Sequence, residues 1–346
     1  MSITANSYGP YDSGAGANIT ENFWRLMTRW FGGAAVVNGY LNQLNPFGDS
    51  TGLQAKVDTG GAFVRGAYGE WTTGVSILAL AAVGGIPGGQ SRIDRIIVRN
   101  DFVNNLMVLD VLTGTAAASP SPPALTQNSS MYEMLLAEIG NTASGSSAAI
   151  NNATTTITAG MVVDARWKIN ESGVLFQERG PIGAAQANFL FGPGGTIPQS
   201  YRTLKLHWNI RGATAAGSVA LDVQLNRDTG ANYNQQIQGF TGTTTQAPSE
   251  TLAATAGPIA TVTAASAGTA TDAGEGECTI ENFSSATFRK IMRSDFSYAV
   301  TTGTGQRQRG VAMVNWESTA AVNELLLFAA TGNLDIGSWA LIEVDP

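Results

Sequence analysis

One cysteine and one histidine in 346 residues leave little room for redox or metal chemistry. Cys278 has no partner for an intrachain disulfide, so no disulfide framework is expected. With His207 as the sole imidazole, the chain falls short of a Cys/His zinc set. These two residues make a nucleophile and base only if folding joins them, and no surrounding motif suggests that it does. Charge is also scarce, at 13% of residues against about a quarter in ordinary domains. The net charge of −7 is opposite to the basic footprint of a nucleic-acid groove, so no nucleic-acid partner is expected. No apolar run reaches the ~18 residues that cross a bilayer as a helix, so no membrane insertion is expected. Met1 to Asn18 is polar and glycine-rich and does not read as a secretory signal. Glycan cleavage needs two carboxylates about 5 to 10 Å apart in a groove. Here the acids are scattered, with Asp222 and Asp228 in and just after one strand and Glu275 and Glu277 in or beside a glycine-rich loop. The repeating ladder of a β-helix is missing too. The sequence therefore predicts no enzyme, no catalytic residue, no cofactor and no metal.

What is present is alternation. In 201–211, Leu204, Leu206, Trp208 and Ile210 point one way, and Thr203, Lys205, His207 and Asn209 the other. Val219, Leu221, Val223 and Leu225 then alternate with Ser218, Ala220, Asp222 and Gln224. Successive strand residues face opposite sides, so each stretch predicts a strand with one buried face. Repeated to the C-terminus, the pattern predicts an antiparallel β-sandwich of jelly-roll type with Leu204, Leu206, Trp208, Leu221, Val223, Leu225, Leu325 and Leu327 inside. Abundant glycine, 41 residues, suits short strands and many turns.

The first half reads as β-rich with one amphipathic helix at residues 18–31. Asn18 or Thr20 caps it, Phe23, Leu26, Met27 and Trp30 form its apolar stripe, and Gly32-Gly33 ends it. Strands are expected at 62–68, 75–83, 92–99 and 106–112, the last two joined by a turn at Asn104-Asn105. Residues 132–139 read as a short helix or a strand, and the Ser/Thr/Asn/Ala tract 141–160 as an exposed loop. The expected organisation is a domain at 1–167, a linker at 168–196 and the sandwich at 197–346. Within the sandwich, Thr241 to Gly276 reads as a long Thr/Ala/Gly insertion.

The first half also carries an ordered series of motifs. These are the aromatic helix with Phe23, Trp24, Trp30 and Phe31, then Arg92-Ile93-Asp94-Arg95-Ile96, then Gly114-Thr115-Ala116. Pro120 to Pro123, Tyr132-Glu133 with Leu136-Ala137, and Val163-Asp164-Ala165-Arg166 complete it. Over residues 20 to 166 the chain resembles the N-terminal attachment domain of baseplate, fibre and minor tail proteins of tailed bacteriophages, and is similar to the upper baseplate protein of lactococcal siphophages. The second half resembles a β-sandwich module of phage tails in Leu225-Asn226-Arg227-Asp228-Thr229-Gly230, Ile280-Glu281-Asn282-Phe283, Lys290 and Gly337-Ser338-Trp339. It departs from that module at Ile342-Glu343-Val344, where relatives end Leu-Tyr-Gly. The resemblance implies a virion structural protein, located in the tail and assembled in the host cytoplasm, that docks by its first domain on other tail or baseplate proteins. It implies self-association, most simply as a homotrimer, and leaves a host cell-surface glycan or protein as a further partner. The alternative is a capsid decoration or head-fibre protein; a tail-associated glycan-degrading enzyme is the more distant one.

Several constellations have two readings. Arg92, Asp94, Arg95 and Arg99 make either an inter-subunit ladder or, as favoured, an Asp94–arginine pair inside the domain. Asn226, Asp228 and Asn232 surround a glycine as in part of a calcium loop, but without its closing glutamate, and the same residues build ordinary turns. Trp316, Trp339, Tyr233 and Tyr298 are candidate sugar platforms, though alternation favours the core for Trp316 and Tyr298. His207 is expected at a surface or subunit interface, and Cys278 in the core.

Overall fold

The computed structural model describes residues 3–4, 7–9, 33–140, 149–170, 174–241, 244–245, 249–264, 272–299 and 307–345. The helix expected at 18–31 lies outside the described residues. The chain divides into two compact units, Met1–Leu175 and Phe176–Pro346, and both are mainly β.

The first unit is organised around strands β1 (Asp94–Asp101), β2 (Leu106–Leu112) and β3 (Met131–Ile139). β1 lies between the other two, antiparallel to both. β1 and β2 form the expected hairpin, with Asn105 at a positive φ in its turn. The 132–139 stretch is a strand, and its buried run from Glu133 to Ile139 shows why periodicity left it ambiguous. A strand buried on both faces reads as a continuous apolar segment, as a buried helix does. One side of β1 sends Ile96 and Val98 into a core shared with Val57, Val64, Trp71, Met107, Leu109 and Leu136. The other side carries Ile97 against Leu135 and Ala165. The stretch 62–68, expected as one strand, is two: Gly60–Val64 and Ala67–Trp71 turn at Arg65-Gly66, both at positive φ.

In the second unit, β4 (Asn188–Phe191), β5 (Thr203–Ile210), β6 (Ser218–Leu225) and β7 (Tyr233–Thr241) are followed by β8 (Ser249–Ala254) and β9 (Gly257–Thr263). Then come β10 (Gly274–Glu281), β11 (Lys290–Ala299), β12 (Arg307–Trp316), β13 (Leu325–Ala329) and β14 (Trp339–Asp345). One sheet runs β14–β5–β10–β11–β12–β7, with β8 on the far side of β7. The other runs β4–β13–β6–β9. β9 packs over β11 and β12. All eight side chains expected inside the sandwich are buried.

Three segments differ from expectation. The supposed linker 168–196 carries strands Lys168–Ile169, Leu175–Arg179 and β4. The supposed insertion 241–276 contributes β8 and β9, and Ile259, Ala260 and Val262 are buried. Small residues made it look like a loop, yet at β9 they let one sheet approach the other. A Cβ on Gly257 would fall 2.8 Å from Val314 and 3.0 Å from Tyr233. In the tract 141–160, described from 149, Ile150–Asn151 pairs with Ser91–Arg92, and Ile150 is buried.

Candidate functional site

The charged strand β1 is turned inward. Asp94, fully buried, accepts both Nε and Nη2 of Arg92 and the amide of Gly114, while Arg92 donates onward to the carbonyls of Ala81 and Ala82. Arg95 donates Nε and Nη2 to one carboxylate oxygen of Glu138, at 3.0 and 2.8 Å, and Nη1 to the carbonyl of Pro123. Arg99 bridges Glu133 and Asp110. These ion pairs therefore join elements within the first unit.

In the 226–232 loop the oxygens are occupied by donors. Asp228 accepts from the amide of Gly230, from Asn232 Nδ2 and from Trp316 Nε1, at 2.7–2.8 Å. Partial burial opposes its ionisation, but these three donors outweigh it and hold the carboxyl below its ordinary range. Asn226 Oδ1 accepts the amides of Asn323 and Glu324. The geometry is that of a turn stapled to its neighbours. Among the described residues, no group of three or more His, Cys, Asp or Glu is placed to hold a metal.

Tyr233 and Trp316 are core residues. Their rings stack at 6.5 Å, and Tyr233 accepts the amide of Leu225 on its hydroxyl. Trp339 and Tyr298 are half-buried, and Tyr298 stacks on Phe296. Cys278 lies in the core, where burial pushes its thiol up to about 12, far from thiolate reactivity at neutral pH. Lys290 is buried with its Nζ donating to the carbonyls of Ser285, Phe288 and Thr319, which ties the chain before β11 to the loop after β12.

Pairing the strands brings together residues that the sequence leaves scattered. His207, Glu277 and Asp295 stand in one row across β5, β10 and β11. The row lies on the open face of the sheet. His207 Nε2 is 3.5 Å from Glu343, and Asp295 pairs with Arg309.

On the same sheet, β7, β8, β11 and β12 form a shallow groove lined by Asn234, Gln236, Glu250, Ile291, Met313 and Asn315. Its volume of roughly 200 Å³ is below the ~300 Å³ at which small-molecule pockets begin. Four large apolar side chains stand exposed here: Leu252 at 62%, Met313 at 47%, Ile291 at 41% and Val311 at 40%. This face is the strongest candidate site in the second unit.

On the outer side of the other sheet, Asp222 faces no charged group across the register, since its partners are Phe328 on β13 and Pro258 on β9. Its Oδ1 is buried with no hydrogen bond. Burial pushes the carboxyl up to about 6. Because the folded value lies above the unfolded one, the protonated form favours folding. Stability from this group is full at low pH and is lost as pH rises through about 6. Asp222→Asn is expected to raise unfolding free energy at pH 8 by about 2 kcal/mol and to leave it little changed at pH 4. Denaturant titration at the two pH values checks it; an equal effect at both would refute it.

Compared with protein-family models and with curated proteins, the sequence matches none.

Proposed function

We propose that the chain is a structural protein of a tailed-phage virion, a peripheral tail, baseplate or fibre component. Residues 1–167 attach it to neighbouring tail proteins, and the β-sandwich is presented outward as a binding surface. The reading rests first on the motif series of the first half. The observation that carries it structurally is where that series lies: its Arg-Ile-Asp-Arg-Ile segment enters the central strand β1, and the charges there are held in pairs inside the unit. Such a strand gives a rigid base, which suits a protein whose work is to hold position. The second unit adds a sheet face with exposed apolar side chains around a shallow groove. That arrangement suits macromolecular contact better than turnover of a small substrate.

An antibody raised against the full chain tests the proposal on particles of the phage that encodes it, after tails have been sheared from heads. Signal in the tail fraction is expected. Signal confined to heads would move the protein to capsid decoration, and signal in neither fraction would remove it from the virion.

A further inference from the structure

The exposed face of β8, β7, β12 and β11 is ordered in a way that suits one partner. Register places Glu250, Gln236, Met313 and Arg293 in a single row across the four strands. The next row is Asn234, Asn315 and Ile291, with Leu252 outside Asn234 beside the register shift in β7. Each row thus has a chemical sense. The first is acidic at the β8 edge and basic at β11; the second is apolar at both ends with amides between.

We propose that this face is a two-fold docking surface for a second copy of the chain. A two-fold axis lying in the contact plane, parallel to the strands and between β7 and β12, reverses the strand order of the facing sheet. β8 of one copy then lies over β11 of the other. Glu250 meets the second copy's Arg293, Leu252 meets its Ile291, and Gln236 covers its Met313. Every such contact is made twice, as an isologous interface requires. Two sheets packed face to face at about 10 Å and about 30° bring these side chains within reach.

Two further observations fit. Among the described residues, neither Glu250, which accepts only a 3.4 Å hydrogen bond from Gln236, nor Arg293 has an ion-pair partner, whereas Lys205, Glu275, Asp295, Arg307, Arg309, Glu343 and Asp345 on the same sheet do. Ser249 to Ala253 in β8 are exposed, so the strand buries almost nothing in a single chain. A facing sheet would cover the side of β8 that carries Glu250 and Leu252. A threefold contact, the symmetry expected from the sequence, joins two different surfaces and would not set this row against its own reverse. The inference stands whether or not the chain belongs to a virion.

Charge reversal on the full-length protein tests it, read by light scattering over a concentration series. Wild type is expected at twice the chain mass. E250R and R293E each place like charges opposite one another, and each is expected to weaken the dimer on the order of tenfold. The double variant E250R/R293E restores both pairs and is expected to dimerise as wild type does. An equimolar mixture of the two single variants is expected to form mixed dimers more tightly than either alone. Unchanged melting temperatures would show that the fold is intact, both sites being exposed. A monomer at every concentration, a trimer, a dimer indifferent to the single variants, or a mixture without rescue would each overturn the proposal.

Discussion

Trp208→Ala is expected to destabilise the second unit by about 3 to 5 kcal/mol, the range for large aromatic truncations in a packed core. Trp208 is 2% exposed on β5, between Ala340 of β14 and Gly276 of β10. Both neighbours are small because the indole occupies the space above them. A Cβ on Gly276 would come within 2.5 Å of the Trp208 ring. Neither Gly276 nor Ala340 has a side chain long enough to fill the hole, so a cavity cost adds to the lost transfer free energy. The indole N–H has no hydrogen-bond partner among the described residues, so the loss is one of packing. Trp208→Phe should accordingly cost much less, about 1 to 2 kcal/mol. Guanidinium unfolding of both variants checks the order. Equal losses, or a loss under 1 kcal/mol for the alanine, would show that the ring is not a core element.

Glu138→Ala is expected to cost the first unit a comparable amount, about 3 to 5 kcal/mol, for a different reason. Arg95 and Glu138 are both nearly inaccessible to water. Removing the carboxylate leaves a guanidinium in the interior with only the Pro123 carbonyl as a described partner. The penalty comes from the abandoned charge, so removing both charges should recover most of it. The double variant Arg95→Met with Glu138→Leu is expected within about 1 to 2 kcal/mol of wild type. If the double variant is as unstable as the single one, the pair contributes through its specific geometry and not merely through mutual neutralisation.

The sandwich was legible in the sequence where each strand keeps one wet face. In β5 and β6 the polar partners of Leu204 to Ile210 and Val219 to Leu225 mark the period, and the burial pattern follows it residue by residue. Legibility failed where that contrast disappears. β3 is buried on both sides, Glu133 and Glu138 included, and in β9 Ile259 and Val262 are set among Gly, Pro, Ala and Thr, whose small side chains resemble a flexible tract although the strand lies under β11 and β12. The short strands of 168–191 carry too few residues to show a period.

The candidate surface was less legible still. Glu250, Met313 and Arg293 are far apart in sequence, and only strand order makes them neighbours. Nothing local marks Arg293 as lacking an ion-pair partner while Arg95 has one. That distinction depends on which strand lies opposite. The Asp94 pairing, by contrast, was readable because Arg92 and Asp94 sit two apart on one strand face, and the structure joins them.

The central claim is that this chain is a fixed component of a phage tail. A cryo-EM reconstruction of intact particles of the encoding phage tests it most directly. The expected result is density for both units on the tail, with the unit containing β1 to β3 against neighbouring tail proteins and the sandwich directed outward. Density for the chain on the capsid, or a complete particle in which no density fits it, would contradict the claim.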